Sequence, residues 1–389
     1  MELEKTEEVS GRDESSRLIG DYQDGRPGPL FFVLGGLHGN EPSGVIAARR
    51  FLESLKVHQP PLRGRMIAFA GNLGALEKGK RFIERDLNRI WTDTQLRRIP
   101  ALLDRGKAPE AEEQSELLLA LEENIPPPPH PVYFLDLHSI SAPGAPFTCI
   151  GDTLANQRFI GRIPLPAILG LQESIDGSLL EYMDNRGYVA VAIEGGSHND
   201  PETALRHESA LWLALVAGGG LSPSDVPDYS MHKNRLESSM KKLPRFLEIR
   251  YRHGIRPADE FVMKPGFYNL QSVLAGDVVA QDRNGPITIP ERGRLLLPLY
   301  QGQGEDGFFV VRELPWWRRT LSALVRILQL WIFLPCLMGV RRHPKFSHSF
   351  IVQTRTPRTV ALFNLFGFRK RRQNETEWIF SRSRNPFAD

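Results

Sequence analysis

An imidazole and a carboxylate three residues apart, His38 and Glu41, lie in the run Leu34-Gly-Gly-Leu-His-Gly-Asn-Glu41. Both groups are ligand types for a borderline cation such as zinc, and both serve in proton transfer. By itself the spacing is weak, because most His-x-x-Glu pairs are two unrelated surface residues, so the setting carries the weight. The apolar residues Phe31 to Leu34 precede the pair, three glycines free the backbone, and Pro42 opens the helix-like run Gly44 to Leu55. This reads as strand, tight loop and helix. It puts the pair at a strand's carboxyl end, where open α/β sheets place their ligands.

Two later runs repeat the plan. Val132-Tyr-Phe-Leu-Asp-Leu-His-Ser139 is a buried strand ending in His138, and Val189-Ala-Val-Ala-Ile-Glu-Gly-Gly196 is another, ending in Glu194. Two imidazoles and one carboxylate brought to one point give zinc three protein ligands and leave a fourth position open, the catalytic arrangement. Asp136 lies two residues before His138, hence on the same strand face, where it would take the second imidazole proton and fix the tautomer. Taken alone, His138 reads more readily as a satisfied histidine at a strand end than as a ligand. Between the first two motifs, Gly79 to Arg89 is strongly charged and belongs on the surface or along a cleft. There Arg85 and Asp86 read equally as a plain surface ion pair and as part of a site. His198, His207, His232 and His253 have no partner pattern and read as surface or structural histidines.

The elements that must position these groups alternate. Arg65 to Ala70 is a further short strand, while Glu110 to Glu123, closed by Pro126 to Pro129, and Pro201 to Ala217 have helical spacing. Strands alternating with helices imply an α/β layer structure with a mainly parallel or mixed sheet. The expected organisation is a loose N-terminal end over 1–17, an α/β domain over 18–217, a linker over 218–242, a small all-β domain over 243–314 and a basic, apolar tail over 315–389. The β domain is read from Phe246 to Tyr251, Glu260 to Met263, Asp277 to Ala280, Arg294 to Leu299 and Phe308 to Val311, with turn residues such as Asn284-Gly285 between them. Cys149 and Cys336 are far apart, which excludes a disulfide framework and a zinc knuckle. Met1 to Ser16 is polar and lacks the apolar core of a secretory signal, so a cytoplasmic body is expected.

Four ordered motifs resemble the succinylglutamate desuccinylase/aspartoacylase family, a branch of the zinc carboxypeptidase-like fold. They are Gly-Gly-x-His-Gly-Asn-Glu at 35–41, Arg-Asp-Leu-Asn-Arg at 85–89, Asp-Leu-His-Ser at 136–139 and Ile-Glu-Gly-Gly at 193–196. The resemblance covers roughly Phe31 to Arg312. It implies a zinc carboxypeptidase-like mixed sheet with flanking helices and an amidohydrolase that removes an N-acyl group from an amino acid or related amine. It further implies one Zn2+ per chain on His38, Glu41 and His138, with Glu194 as catalytic acid/base. Arg81, Asn88 and Arg89 match positions that hold the substrate's carboxylate and carbonyl oxygen, and Tyr300 matches, loosely, a substrate-contacting tyrosine. Arg186, in Asp184 to Tyr188, is a candidate for a further substrate arginine whose register the motif leaves open. Peptide or ester cleavage on the same zinc, and a non-catalytic protein holding an acidic ligand at a membrane, are the alternatives.

The family does not explain the tail. Pro315 to Asp389 holds 14 Lys/Arg against 3 Asp/Glu, net +11, whereas residues 1–314 hold 35 against 43, net −8. The basic character therefore belongs to the tail. Leu321 to Val340 is about long enough to span a bilayer, but Arg326 and Pro335 interrupt it. Trp316, Trp317 and the flanking arginines fit a segment lying on an anionic membrane surface, at the inner face of a membrane for a cytoplasmic protein. A helix docked on the body and a partly disordered arm are the other readings. Basic charge without a recognition motif makes nucleic acid an unlikely partner, and the oligomeric state is not legible.

Overall fold

The computed structural model describes residues 17–382 except 105, 107, 127–129, 173, 241, 345–348, 354–355 and 374–377. Met1 to Ser16 and Pro127 to Pro129 lie outside the described residues. Among the described residues fourteen strands precede the tail: β1 (Leu18–Gln23), β2 (Arg26–Gly35), β3 (Arg63–Ala70), β4 (Val132–Ile140), β5 (Phe147–Ile150), β6 (Ala167–Leu169), β7 (Val189–Ser197), β8 (Phe246–Gly254), β9 (Val262–Met263), β10 (Ser272–Val273), β11 (Val278–Asp282), β12 (Gly285–Thr288), β13 (Gly293–Leu296) and β14 (Asp306–Glu313). Eleven of them form one mixed sheet in the order β1-β3-β2-β4-β7-β5-β6-β8-β14-β13-β10. Its centre, β3-β2-β4-β7, is parallel.

The central strands are apolar on both faces because helices cover both. Phe31 and Val33 of β2 face one core, where Phe51 of helix Ser43–His58 meets Trp212 of helix Glu202–Ala217 with ring centroids 4.7 Å apart. Phe32 and Leu34 face the other, against Leu117 and Leu121 of helix Pro109–Asn124. The same alternation puts Phe134, Asp136 and His138 of β4 on one side, with Ala190, Ala192 and Glu194 of β7.

The expected mixed α/β sheet with flanking helices is present, as are small antiparallel sheets in the C-terminal region. The internal boundaries look different from those expected. Strands β8, β14, β13 and β10 extend the main sheet, and of the expected β domain only β12-β11-β9 forms a separate one. Residues 218–242 include the helix Tyr229–Ser239, whose buried Leu236 joins the core around Trp212. Arg17, placed in the loose end by sequence, donates to Ala70 O (3.1 Å) and pairs with Glu116 (2.8 Å) and Glu113.

The tail folds. Helix Trp316–Ile327 turns through 84° into Leu330–Cys336, and four antiparallel strands follow in the order β15-β16-β18-β17: β15 (Val340–Arg342), β16 (Ser349–Val352), β17 (Arg369–Gln373) and β18 (Trp378–Ser381). Together with helix Pro357–Leu365 they enclose a core of Leu334, Phe350, Val352, Phe363, Phe368 and Phe380. Among the described residues no single helix is long and apolar enough to cross a membrane. The twenty-residue apolar run is broken at Gln329, whose backbone is left-handed (φ 52°). Cys149 is buried and Cys336 exposed, both as free thiols.

Candidate active site

The loop between β2 and helix Ser43–His58 turns in a space too small for side chains. Gly36 has φ +71°, and a Cβ on Gly39 would lie 2.0 Å from the backbone carbon of Ala75. Gly39 N–H also donates to Arg81 O (3.2 Å), which ties the charged segment to this loop. The backbone thus aims His38 and Glu41 inward, and both are buried.

Glu41 sits between the two imidazoles. Its Oε1 is 2.8 Å from His38 Nδ1, and its Oε2 is 3.0 Å from His138 Nδ1 and accepts from Ser139 N–H at 2.9 Å. Donor atoms of His38, Glu41 and His138 lie within 4.8 Å of one another. Each imidazole also has a carboxylate at its far nitrogen: Asp86 Oδ1 is 3.2 Å from His38 Nε2, and Asp136 Oδ2 is 2.9 Å from His138 Nε2. That pairing orients ligand histidines and leaves both Nδ1 atoms toward the centre. Two nitrogens and one carboxylate, converging and backed in this way, fit a zinc-like cation.

Electrostatics follow the geometry. Burial disfavours charge on Glu41, but His38 and His138 beside it hold its carboxyl well below the usual carboxylate range. Burial likewise opposes ionisation of Asp86, and Arg81 and His38 overcome it. Arg81 donates to Asp86 Oδ2 from Nε (3.2 Å) and Nη2 (3.0 Å) and is 3.6 Å from Glu41. Glu194 behaves oppositely. Burial, opposed by His138 and reinforced by Glu41, pushes its carboxyl up to about 8, and its Oε2 has no hydrogen-bond partner.

A cavity of about 950 Å3, mouth included, adjoins this cluster. His38, Glu41, His138, Asp136, Glu194, Arg81, Asn88 and Arg89 all line it. Asn88 Oδ1 accepts from Leu179 N–H (2.9 Å). Arg89 Nη1 donates to Asn88 O (3.0 Å), Nη2 is 3.5 Å from Asp306, and Nε is buried without a hydrogen-bond partner. Much of the remaining wall is apolar, from Leu171, Ile175, Leu180, Leu297 and Phe309.

Two candidates are placed elsewhere. Tyr300 does not line the cavity: its hydroxyl donates to Lys264 O (2.7 Å) and accepts from Phe267 N–H (3.1 Å), so it braces a loop while Leu299 and Gln301 face inward. Arg186 is exposed, with its guanidinium 4.0 Å above the Tyr182 ring. Conversely, Asp86 is no surface residue, being 8% exposed behind His38. His198 also belongs here: its Nδ1 is 2.8 Å from Ser139 Oγ and its Nε2 3.2 Å from Gln301 Oε1, which accepts from Asn40 Nδ2 (2.7 Å). Asp86 stands inside the Arg-Asp-Leu-Asn-Arg motif and was within reach of sequence reasoning. Gln301 and His198 had no local signal.

Fold and site together define a mixed α/β protein with a metal-type donor cluster at the carboxyl ends of neighbouring strands. Residues 27–198 match the model of the family described as the succinylglutamate desuccinylase/aspartoacylase catalytic domain. A probable aspartoacylase from Nostoc sp. is 39% identical over 64 residues, 16% of this chain and 21% of that protein. The aligned stretch thus spans about a fifth of that curated relative's length. The structure of succinylglutamate desuccinylase from Vibrio cholerae aligns with TM-score 0.51 and 17% identity over 74% of this chain and 82% of that one. A succinylglutamate desuccinylase/aspartoacylase from Rhodobacter sphaeroides aligns with TM-score 0.52 and 17% identity over 74% and 87%. These two likenesses establish the fold.

Proposed function

We propose that the chain is a zinc-dependent amidohydrolase that removes an N-acyl group from an amino acid or related amine. The observation that carries this is the convergence of His38, Glu41 and His138 beside an unpartnered Glu194 oxygen. His38, Glu41 and His138 would hold one Zn2+, which when bound supplies a Lewis acid that polarises a carbonyl and brings the pKa of water toward ~7.

The chain's own residues do the rest. In its ionised form, which the charge of a bound cation would favour, Glu194 Oε2 takes a proton from the attacking water as the new C–O bond forms. It then passes that proton to the amine nitrogen as the C–N bond breaks. Arg81, fixed by Asp86, presents positive charge where the carbonyl oxygen gains negative charge. Arg89, whose Nε has no hydrogen-bond partner and lies 3.8 Å from Glu305, offers that group to the substrate's carboxylate, beside Asn88. Asp306 offsets part of the Arg89 charge, and the apolar wall suits an aliphatic or aromatic acyl group better than one ending in a second carboxylate.

Screening the zinc-loaded chain against N-acyl amino acids, short peptides and esters tests the reading. Amide deacylation is expected to dominate. Turnover confined to peptides or esters would move the activity to those bonds, and binding without turnover of any substrate would make the pocket a receptor.

A further inference from the structure

Helix Trp316–Ile327 is amphipathic with its polarity reversed. In a soluble protein the apolar stripe of such a helix faces the core and its charges face water. Here the arginines turn inward. Arg326, only 8% exposed, binds Asp152 Oδ1 (2.8 Å) and Asp152 O (2.9 Å) at the end of β5. Arg318 reaches Glu248 at 3.3 Å, and the Arg319 guanidinium lies 3.4 Å above the Phe246 ring. The apolar residues, at helical spacing, face outward: Trp317 is 54% exposed, Leu324 52% and Ile327 61%. Past the 84° bend the same surface character continues, with Phe333 59% and Met338 fully exposed.

Arg326 and Arg369 grip the two oxygens of one buried carboxylate, Asp152, at 2.8 Å each way, so this orientation is held from inside. The outward face is therefore not a helix left without a seat.

We propose that this face is a docking surface for an anionic lipid bilayer, with the bent pair lying in the interfacial layer. Charge decides the occupant. Residues 315–389 carry net +11; Arg318, Arg326 and Arg369 are paired inward with Glu248 and Asp152, and Arg341, Arg342 and Arg358 remain exposed on the same unit. A second copy of the chain seated on this face would oppose two such charges about a two-fold axis, whereas an anionic surface attracts each basic side chain. Neighbouring tryptophans at the start of the helix suit the headgroup level, where an indole buries its ring and keeps its N–H wet. Each helix of the pair is too short to span a bilayer, and the bend lets both lie flat. The proposal is independent of the hydrolase reading.

The test is co-sedimentation of the full chain with vesicles of phosphatidylcholine alone and of phosphatidylcholine mixed with phosphatidylglycerol, alongside light scattering without lipid. Wild type should partition into the anionic vesicles, and Leu324→Glu/Ile327→Glu should lower that partition about tenfold while circular dichroism and melting stay unchanged. Trp316→Ala/Trp317→Ala serves as a second variant with the same expected direction. No sedimentation of wild type, equal sedimentation with neutral vesicles, or equal behaviour of wild type and both variants would overturn the proposal. So would a dimer in solution that Leu324→Glu/Ile327→Glu dissolves, since the face would then be closed by a second copy.

Discussion

His138 and Glu194 are register partners across the parallel β4–β7 pair, so two candidate functional groups from distant parts of the chain stand side by side on one sheet face. No loop has to be ordered to bring them together. Glu194→Gln keeps the shape and removes the proton carrier. Turnover should fall by about 10²–10⁴-fold, while metal content by mass spectrometry stays at that of wild type. Retained turnover would remove Glu194 from the chemistry.

Asp86 tests the support behind the candidate metal ligands. Asp86→Asn keeps the contact with His38 but loses the charge that Arg81 and His38 share. Metal affinity by competition with a chromogenic chelator should weaken about 10–100-fold. Unchanged affinity would reduce Asp86 to an anchor for Arg81.

Gly39 tests the loop. Gly39→Ala would force a methyl group to within 2.0 Å of the Ala75 backbone, so the loop or the Ala75 turn must shift. The expected cost is about 1–3 kcal/mol of stability, read as a lower melting temperature, together with a loss of metal binding. A fully active variant would show that the loop tolerates the shift.

Arg89 separates binding from chemistry. If its Nε reads the substrate's carboxylate, Arg89→Ala should raise KM for N-acyl amino acids more than it lowers kcat, and N-acyl amines lacking the carboxylate should be indifferent to the change. An equal loss on both substrate sets would place Arg89 in the scaffold.

Asp152 sets an acid limit on the tail. Burial opposes its ionisation, but Arg326 and Arg369 bring its carboxyl down to about 2 from 3.8. A depressed folded value means the stabilisation is present above pH ~4 and is lost progressively as pH falls toward ~2, about 2 kcal/mol in all. Asp152→Asn strands two buried guanidinium groups, so it should be less stable at neutral pH and lack this acid-dependent loss. Tryptophan fluorescence during acid and urea titrations would read both effects. Parallel pH profiles for the two proteins would rule the coupling out.

The strands that carry chemistry were legible because each is a continuous apolar run ending in polar groups, as with Phe31 to Leu34 before His38 and Val189 to Ile193 before Glu194. Both neighbours of these strands are buried, so the pattern has no competing interpretation. The short strands β5 and β6 were not legible, since three or four residues carry no period. Tyr300 was matched by position along the chain, yet a tyrosine hydroxyl answers to the backbone groups within reach, here Lys264 O and Phe267 N–H. The apolar tail was legible in composition only. Nothing in the residues of 316–327 says that Asp152, far upstream, would capture Arg326 and turn the apolar side outward.

The continuity of the main sheet bears on how a ligand is admitted. Asp306 and Phe309 of the cavity wall belong to β14, which is joined through β8, β6 and β5 to β7, the strand bearing Glu194. Opposite walls of the cavity are thus braced by one hydrogen-bonded lattice. Passage falls to rotation of individual side chains such as Gln301 on fast timescales, so turnover should depend on the chemical step or on product escape rather than on the swing of one domain against another.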